Sequence, residues 1–347
     1  MSTRPRTVLL TGASGVVGRS ILRESRGLPG GGGDGGPGDL RLIAASHSSA
    51  VPEAPGPTVS LDMTAEWFGL GADGWEALAE EVDVVIHSAG LTEWGLPAER
   101  YQPINIDGTR RIIEFAERAD AVVHFMSTAF VAALADTAPT PLGAANVCRN
   151  YISSKQAAED LLAESGIPHT VFRPTNLVGD STTGWTSQGQ IVQLMSDWIG
   201  RGRAPFIPAH PGIRMDFVPQ DLLSKAVLRA IELGDDKGDF WVTYGEEAMD
   251  VDGCLQVLAK HAAARGRMLR IPPTVDPGRI DQEELERLPP MSRSFLSVLC
   301  DVSEVTWCSG GVLPTSMPEL RERYGVPYVA DTVAYQRSLT YASDHLS

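Results

Sequence analysis

Residues 7–18, TVLLTGASGVVG, constrain the fold more than any other stretch of the chain. A short apolar run ends in a glycine-spaced turn, and a helix-forming pattern from Gly15 to about Arg26 follows at once. The alternation then repeats. Apolar runs LRLIAA (40–45), TVSL (58–61), DVVIHSAG (83–90), AVVHFMS (121–127) and HTVFRP (169–174) are separated by helical patterns. Those helices include NIDGTRRIIEFAERA (105–119) and the segment around NYISSK (150–155). Strands that are apolar along their whole length are buried on both faces. Joined by helices, they make a parallel sheet with helices on either side.

Gly12, Gly15 and Gly18 follow G-x-x-G-x-x-G spacing in this strand–turn–helix setting. The first glycine makes the turn, the second lets backbone N–H groups approach a pyrophosphate, and the third lets helix and sheet pack closely. The expected fold class is therefore α/β: a Rossmann-type doubly wound parallel sheet with a smaller mixed C-terminal substrate-binding cap. Residues 1–175 and 215–245 are assigned to the dinucleotide-binding domain, and 176–214 and 246–347 to the cap. Helices are expected at QIVQLMSDWIG (190–200) and PQDLLSKAVLRAIEL (219–233), with a further strand at DFWVTYG (239–245). The stretch LPGGGGDGGPGD (28–39) cannot pack and reads as a loop inserted between the first helix and second strand.

The chain carries 44 acidic against 29 basic residues, a formal net charge of −15. That sign repels polyanions and argues against nucleic-acid binding or docking on anionic lipid. Cys148, Cys254, Cys300 and Cys308 show no C-x-x-C spacing and no zinc-like cluster with the seven histidines. No metal is expected, and buried free thiols in a reducing cytoplasm are. The apolar run before Thr11 is too short for a signal peptide, and no stretch is long enough to span a bilayer. A cytoplasmic protein is expected.

The end of the second strand separates NAD from NADP sites, because an acid there binds the ribose hydroxyls and repels a 2′-phosphate. Here the sequence is AASHSS, so Ser46, His47 and Ser48 stand where an acid would. NADP(H) is favoured, with NAD(H) as the alternative. Arg19 is a candidate helper. Asp62 and Met63, after the third strand, are candidates to hold the adenine, and a helix cap is the other reading of Asp62.

Tyr151 stands four residues ahead of Lys155 in a chain with only four lysines. Chance alone places such a pair in fewer than about one chain in ten of this composition. Together with its surroundings, the pair resembles the short-chain dehydrogenase/reductase superfamily in its extended form. The likeness runs in register through TGASGVVG (11–18), LDM (61–63), HSAG (87–90), NIDGT (105–109), MSTAFV (126–131), Tyr151-x-x-x-Lys155 and RPTNLVGD (173–180). FGLGADGWEALAEEVDVVIHSAGLTEW (68–94), GDSTTGW (179–185) and DFVPQD (216–221) are similar to the thioester-reductase and male-sterility branch, which includes fatty-acyl-CoA reductases. The C-terminal cap diverges, so the resemblance leaves the substrate open.

The resemblance implies cofactor contacts at Gly12, Ser14, Gly15, Val16, Val17 and Gly18, and at Ser88, Ala89, Gly90, Pro174 and Asn176. It implies a catalytic set of Thr128, Tyr151 and Lys155 supported by Asn105. A hydride arriving at a carbonyl carbon creates an alkoxide that needs a proton donor and a fixed hydrogen bond. Tyr151 is the donor in this reading and Thr128 the second hydroxyl. A phenol with a pKa near 10 needs a shift of about three units, roughly 4 kcal/mol, to work near neutrality. Lys155, one helical turn along, supplies positive charge for it. Ser127 should face elsewhere, because side chains alternate along a strand.

The expected activity is NADPH-dependent reduction of an acyl thioester, an aldehyde or a ketone. The substrate is a small molecule, either free or carried on CoA or an acyl carrier protein, and a homodimer is compatible with the sequence. A nucleotide-sugar epimerase or dehydratase is the alternative. It would need basic groups such as Arg201, Arg203 and Arg214 for a diphosphate. A nucleotide-sensing protein without turnover is a third reading. Thr175, Asn176 and the GDSTTGW loop should line the nicotinamide end of the site, with Ile191, Leu194 and Trp198 as one apolar wall. For those three, packing the cap onto the sheet is the other reading.

Overall fold

A computed structural model describes residues 5–26, 40–47, 49–52 and 54–346, with backbone alone at 282 and 284. Ser48 and the glycine-rich stretch 28–39 lie outside these residues. Seven strands form one parallel sheet: β1 (Arg6–Thr11), β2 (Leu40–Ser46), β3 (Thr58–Ser60), β4 (Val84–His87), β5 (Val122–Met126), β6 (His169–Pro174) and β7 (Lys237–Val242). Their order is β7-β6-β5-β4-β1-β2-β3. The strand order reverses between β1 and β4, and that switch point opens a crevice above the carboxyl ends of the strands.

The wholly apolar strands are explained by two cores. Val8, Leu10 and Ile86 point into one, while their neighbours Leu9 and Val85 point into the other. Helices α1 (Val16–Ser25) and α6 (Gln220–Leu233) cover the first face, where the Ser224 hydroxyl donates to Ser20 Oγ at 2.7 Å. Helices α2 (Gly71–Glu81), α3 (Asp107–Ala119) and α4 (Arg149–Ser165) cover the second. Each fully buried Leu, Ile or Val stabilises this arrangement by about 1.5–3 kcal/mol relative to exposure.

A third core lies beyond the sheet. It is built from α5 (Ile191–Gly200), α7 (Val251–Ala264), α8 (Pro290–Cys308) and α10 (Asp331–His345), through Trp198, Leu255, Leu258, Leu296 and Tyr335. Helix α9 (Met317–Tyr324) returns to the sheet, where Met317, Leu320 and Tyr324 pack in the core of Phe172 and Phe240. Among the described residues, no helix is long and apolar enough to cross a membrane.

Candidate active site

The turn after β1 requires its glycines. Gly12 has φ +67°, and a Cβ there would stand 2.6 Å from the Ala89 backbone nitrogen. A Cβ on Gly18 would meet the Gly12 carbonyl oxygen at 2.3 Å, so α1 lies against the turn only because that residue is glycine. Gly15 caps α1, leaving the first backbone N–H groups of the helix facing the crevice.

Two cavities meet at this turn. One, of about 410 Å³, is lined by Gly12, Ser14, Ser46, His47, Asp62, Met63 and Ala89. The other, of about 710 Å³, is lined by Val16, Val17, Thr128, Tyr151, Lys155, Pro174 and Asn176. Gly15, Ser88 and Gly90 belong to both, so the two form one trough across the carboxyl ends of the strands. Among the described residues of the expected catalytic and cofactor sets, three line neither cavity. Gly18 packs helix against turn, Arg19 donates from Nε to the Ser14 carbonyl at 3.1 Å, and Asn105 lies behind the cleft.

At the adenine side, Asp62 is engaged locally: its Oδ1 accepts from the Thr64 N–H at 2.8 Å and from the Thr64 hydroxyl at 2.6 Å. Those bonds hold its carboxyl below the usual range. Its other oxygen stands 3.9 Å from His47 Nε2. Ser46 donates its hydroxyl to the Ser49 carbonyl at 2.7 Å.

Tyr151 and Lys155 lie one turn apart on α4, buried, with Thr128 just past β5. Tyr151 shares a hydrogen bond with Thr128. Thr128 Oγ1 also accepts the Phe130 N–H at 3.4 Å. Lys155 Nζ donates to the Met126 carbonyl at 2.7 Å and sits 4.7 Å from the centroid of the Phe125 ring. Ser127 turns the other way, its hydroxyl bonded to the Glu159 carboxylate.

Asn105 lies in a π turn, Gln102–Ile106, of the kind often found at functional sites. Its amide clamps the segment after β4, accepting from Leu91 N at 2.7 Å and donating to Leu91 O at 3.0 Å. It also donates to Ser154 Oγ at 2.9 Å, which ties β4 to the helix bearing Tyr151.

The electrostatics differ from the sequence expectation. Burial pushes the Tyr151 hydroxyl above the ordinary phenol value, and the hydrogen bond from Thr128 only partly offsets it. Burial also lowers Lys155 from 10.5 to about 8, against the pull of Glu159. The protein's own groups thus keep Tyr151 protonated, the state of an acid.

A family model described as male sterility protein matches residues 57–227. The terminal reductase domain of the myxalamid synthetase pathway shares the fold, with a TM-score of 0.72 over 99% of this chain and 92% of that one, at 22% identity. The chain is an extended short-chain dehydrogenase/reductase, most like the thioester-reductase and male-sterility branch. The family match and the reductase relatives support an NAD(P)-dependent oxidoreductase. A thiolation-reductase di-domain of an archaeal peptide synthetase matches with a TM-score of 0.71 over 98% of this chain and 76% of that one, at 18% identity. A glycine betaine reductase of Emericella nidulans is 27% identical over 65% of this chain and 20% of its own length. The chain spans between 4% and 20% of the curated relatives it matches.

Sequence reading of this reductase-type site missed Glu159 and Arg173. Their signal was present, since Tyr151, Lys155 and Glu159 repeat every fourth residue along one face of α4. It also missed His87, which bonds Thr11 Oγ1 at 2.9 Å and Thr109 Oγ1 at 3.3 Å and which burial beside Lys155 lowers to about 3. Two expectations for the cleft wall need correction. The 179–185 loop does not line the cleft; Asp180 closes it into its own turn, and Trp185 lies 4.5 Å over Arg23. Of the α5 trio, only Ile191 lines the cleft. Trp198 packs edge-on against Phe295 at 5.2 Å in the third core, and Leu194 is exposed. Thr175, Asn176 and Leu177 do line it.

Three carboxylates, Glu24, Asp180 and Asp221, come close enough to suggest a cation site. Lys225 already fills that role, with Nζ 2.6 Å from Asp221 and 3.5 Å from Glu24.

Proposed function

We propose that this chain reduces an acyl thioester, carried on CoA or an acyl carrier protein, with NADPH as the preferred reductant. One observation carries the reading. Thr128, Tyr151 and Lys155 share a cleft that has the Gly15 turn at one end and Trp94, Phe130, Ile191 and Val298 at the other. Among the described residues no arginine lines that cleft, and of the three arginines a diphosphate would need only Arg214 reaches the adjoining apolar chamber, which disfavours a sugar diphosphate as occupant. The names of the synthetase reductase domains and of the thiolation-reductase di-domain support a carrier-bound substrate.

The trough suits a dinucleotide. A Cβ at Gly90 would come within 3.5 Å of Lys155 Nζ and 3.4 Å of Asn105 Oδ1, so glycine keeps the middle of the trough open. The Gly15 turn and the start of α1 would hold the pyrophosphate, and Ser46 with the exposed His47 the 2′-phosphate. Bound there, the nicotinamide supplies hydride to the carbonyl carbon.

The chain's own groups do the rest. Thr128 and Tyr151 orient the carbonyl oxygen, and Tyr151, kept protonated by burial, donates its proton as negative charge develops. The Lys155 ammonium, fixed by the Met126 carbonyl, stabilises the phenolate left behind. In overall balance, thioester, NADPH and a proton give aldehyde, thiol and NADP+. The carbon–sulfur bond then breaks as the new hydroxyl returns its proton to the Tyr151 phenolate, and the departing thiolate takes up the one proton of the overall balance. The test is NADPH consumption against acyl thioesters, aldehydes, ketones and nucleotide sugars. Turnover of thioesters is expected, and turnover of nucleotide sugars alone would overturn the reading.

A further inference from the structure

A second, smaller chamber of about 70 Å³ adjoins the cleft, with room for roughly two water molecules. Trp94 and Phe130, whose ring centroids are 6.3 Å apart, line both spaces, as do Ile191 and Val298. They form a neck leading away from Thr128 and Tyr151. Beyond it the walls are apolar. Met195 and Ile199 come from α5, Phe217 from the segment before α6, and Leu299 and Val302 from α8. On α8, Val298, Val302 and Thr306 follow four-residue spacing and so present one face.

Apart from Asn176 at the neck, the polar groups that reach the chamber have partners. Ser196 and Tyr335 share a hydrogen bond of 2.6 Å, and Cys254 bonds Tyr335. The Asp216 carboxylate accepts the N–H groups of Tyr244 and Gly245, each at 2.9 Å. Arg214 donates to the Ala248 carbonyl at 3.3 Å. A polar or charged group entering the chamber would lose its water and find few unmet partners among mainly apolar walls, whereas an apolar group gains by burial.

Building on the thioester reading, we propose that this chamber is the acyl pocket and limits the substrate to a short, neutral acyl group. About three carbon-sized atoms fill the space, so a long fatty chain does not fit. Val302 and Leu299 are the residues that set the limit, because they are half-buried and face the chamber from α8.

The test measures kcat/KM for two parallel series, acyl-pantetheine thioesters and straight-chain aldehydes, from the acetyl to the palmitoyl length. Expected is a rise of up to about fourfold per methylene while carbons enter the chamber, then a fall. Val302→Phe should move the fall to shorter chains while activity on the acetyl members persists, and Leu299→Ala should move it to longer ones. Rates that climb through palmitoyl, or a profile that neither variant moves, would overturn the proposal. The same cut-off on aldehydes with every thioester inert would support the chamber and overturn the thioester reading instead.

Discussion

Glu159 holds Arg173 through both carboxylate oxygens: Nε lies 3.1 Å from each, and Nη2 lies 2.6 Å from Oε2. The pair stands one helical turn past Lys155, and Arg173 reaches on to Asp239 at 2.8 Å. Arg173 thereby fixes an anion beneath the buried lysine, where its charge favours the ammonium. In the proposed mechanism Lys155 works as a cation, and burial lowers it to about 8, so activity should be full below that pH and fall above it. Glu159→Gln should move this alkaline limb to lower pH, read from the pH profile of kcat/KM. An unmoved limb would show that Glu159 does not act through Lys155.

The same depressed lysine has an opposite effect on stability. Its folded-state pKa of about 8 lies below the ordinary 10.5, so between these values the unfolded chain binds more protons. Stability from this group must then rise with pH through that window. Lys155→Met should flatten the rise, measured as denaturant midpoints from pH 7 to 10 against wild type. An unchanged slope would contradict the burial argument.

Gly12→Ala should cost more than about 1 kcal/mol of stability and abolish nucleotide binding. The residue sits at φ +67° with no room for a Cβ beside Ala89. Urea unfolding and NADPH titration check it together. Wild-type affinity in the variant would mean that the turn does not approach the cofactor.

His47→Ala should weaken NADPH by about tenfold or more and NADH little, since a contact to a charged phosphate contributes about 1.5–3 kcal/mol. Fluorescence titration of both nucleotides decides it. Equal losses for the two would remove His47 from 2′-phosphate recognition.

Much of the fold was legible because β1, β4 and β5 are buried on both faces and therefore read as unbroken apolar runs. The glycine turn was legible because its sterics permit no other residue at Gly12. The cap was harder. In α5, positions 191, 194 and 198 and positions 191, 195 and 199 have equal claims to helical spacing, and periodicity cannot say which face meets the cleft. Trp198 packs wholly into the third core, while Met195 lines the chamber and Ile199 belongs to both. Val298 and Val302 reach the site from α8, more than 140 residues beyond Tyr151, and no local pattern marks them. The direction of the Tyr151 shift was misjudged because the depth of its burial, a tertiary property, outweighs the charge one turn away.

The central claim is that Tyr151 delivers the proton during carbonyl reduction. Stopped-flow measurement of NADPH oxidation with an acyl-pantetheine thioester, comparing wild type and Tyr151→Phe at matched cofactor saturation, tests it most directly. The hydroxyl is the only group removed, so the variant should bind NADPH as wild type does. Its hydride-transfer step should slow by about 10²–10⁴-fold, the loss expected on deleting a general acid. A variant that kept more than about a tenth of the wild-type rate would contradict the account.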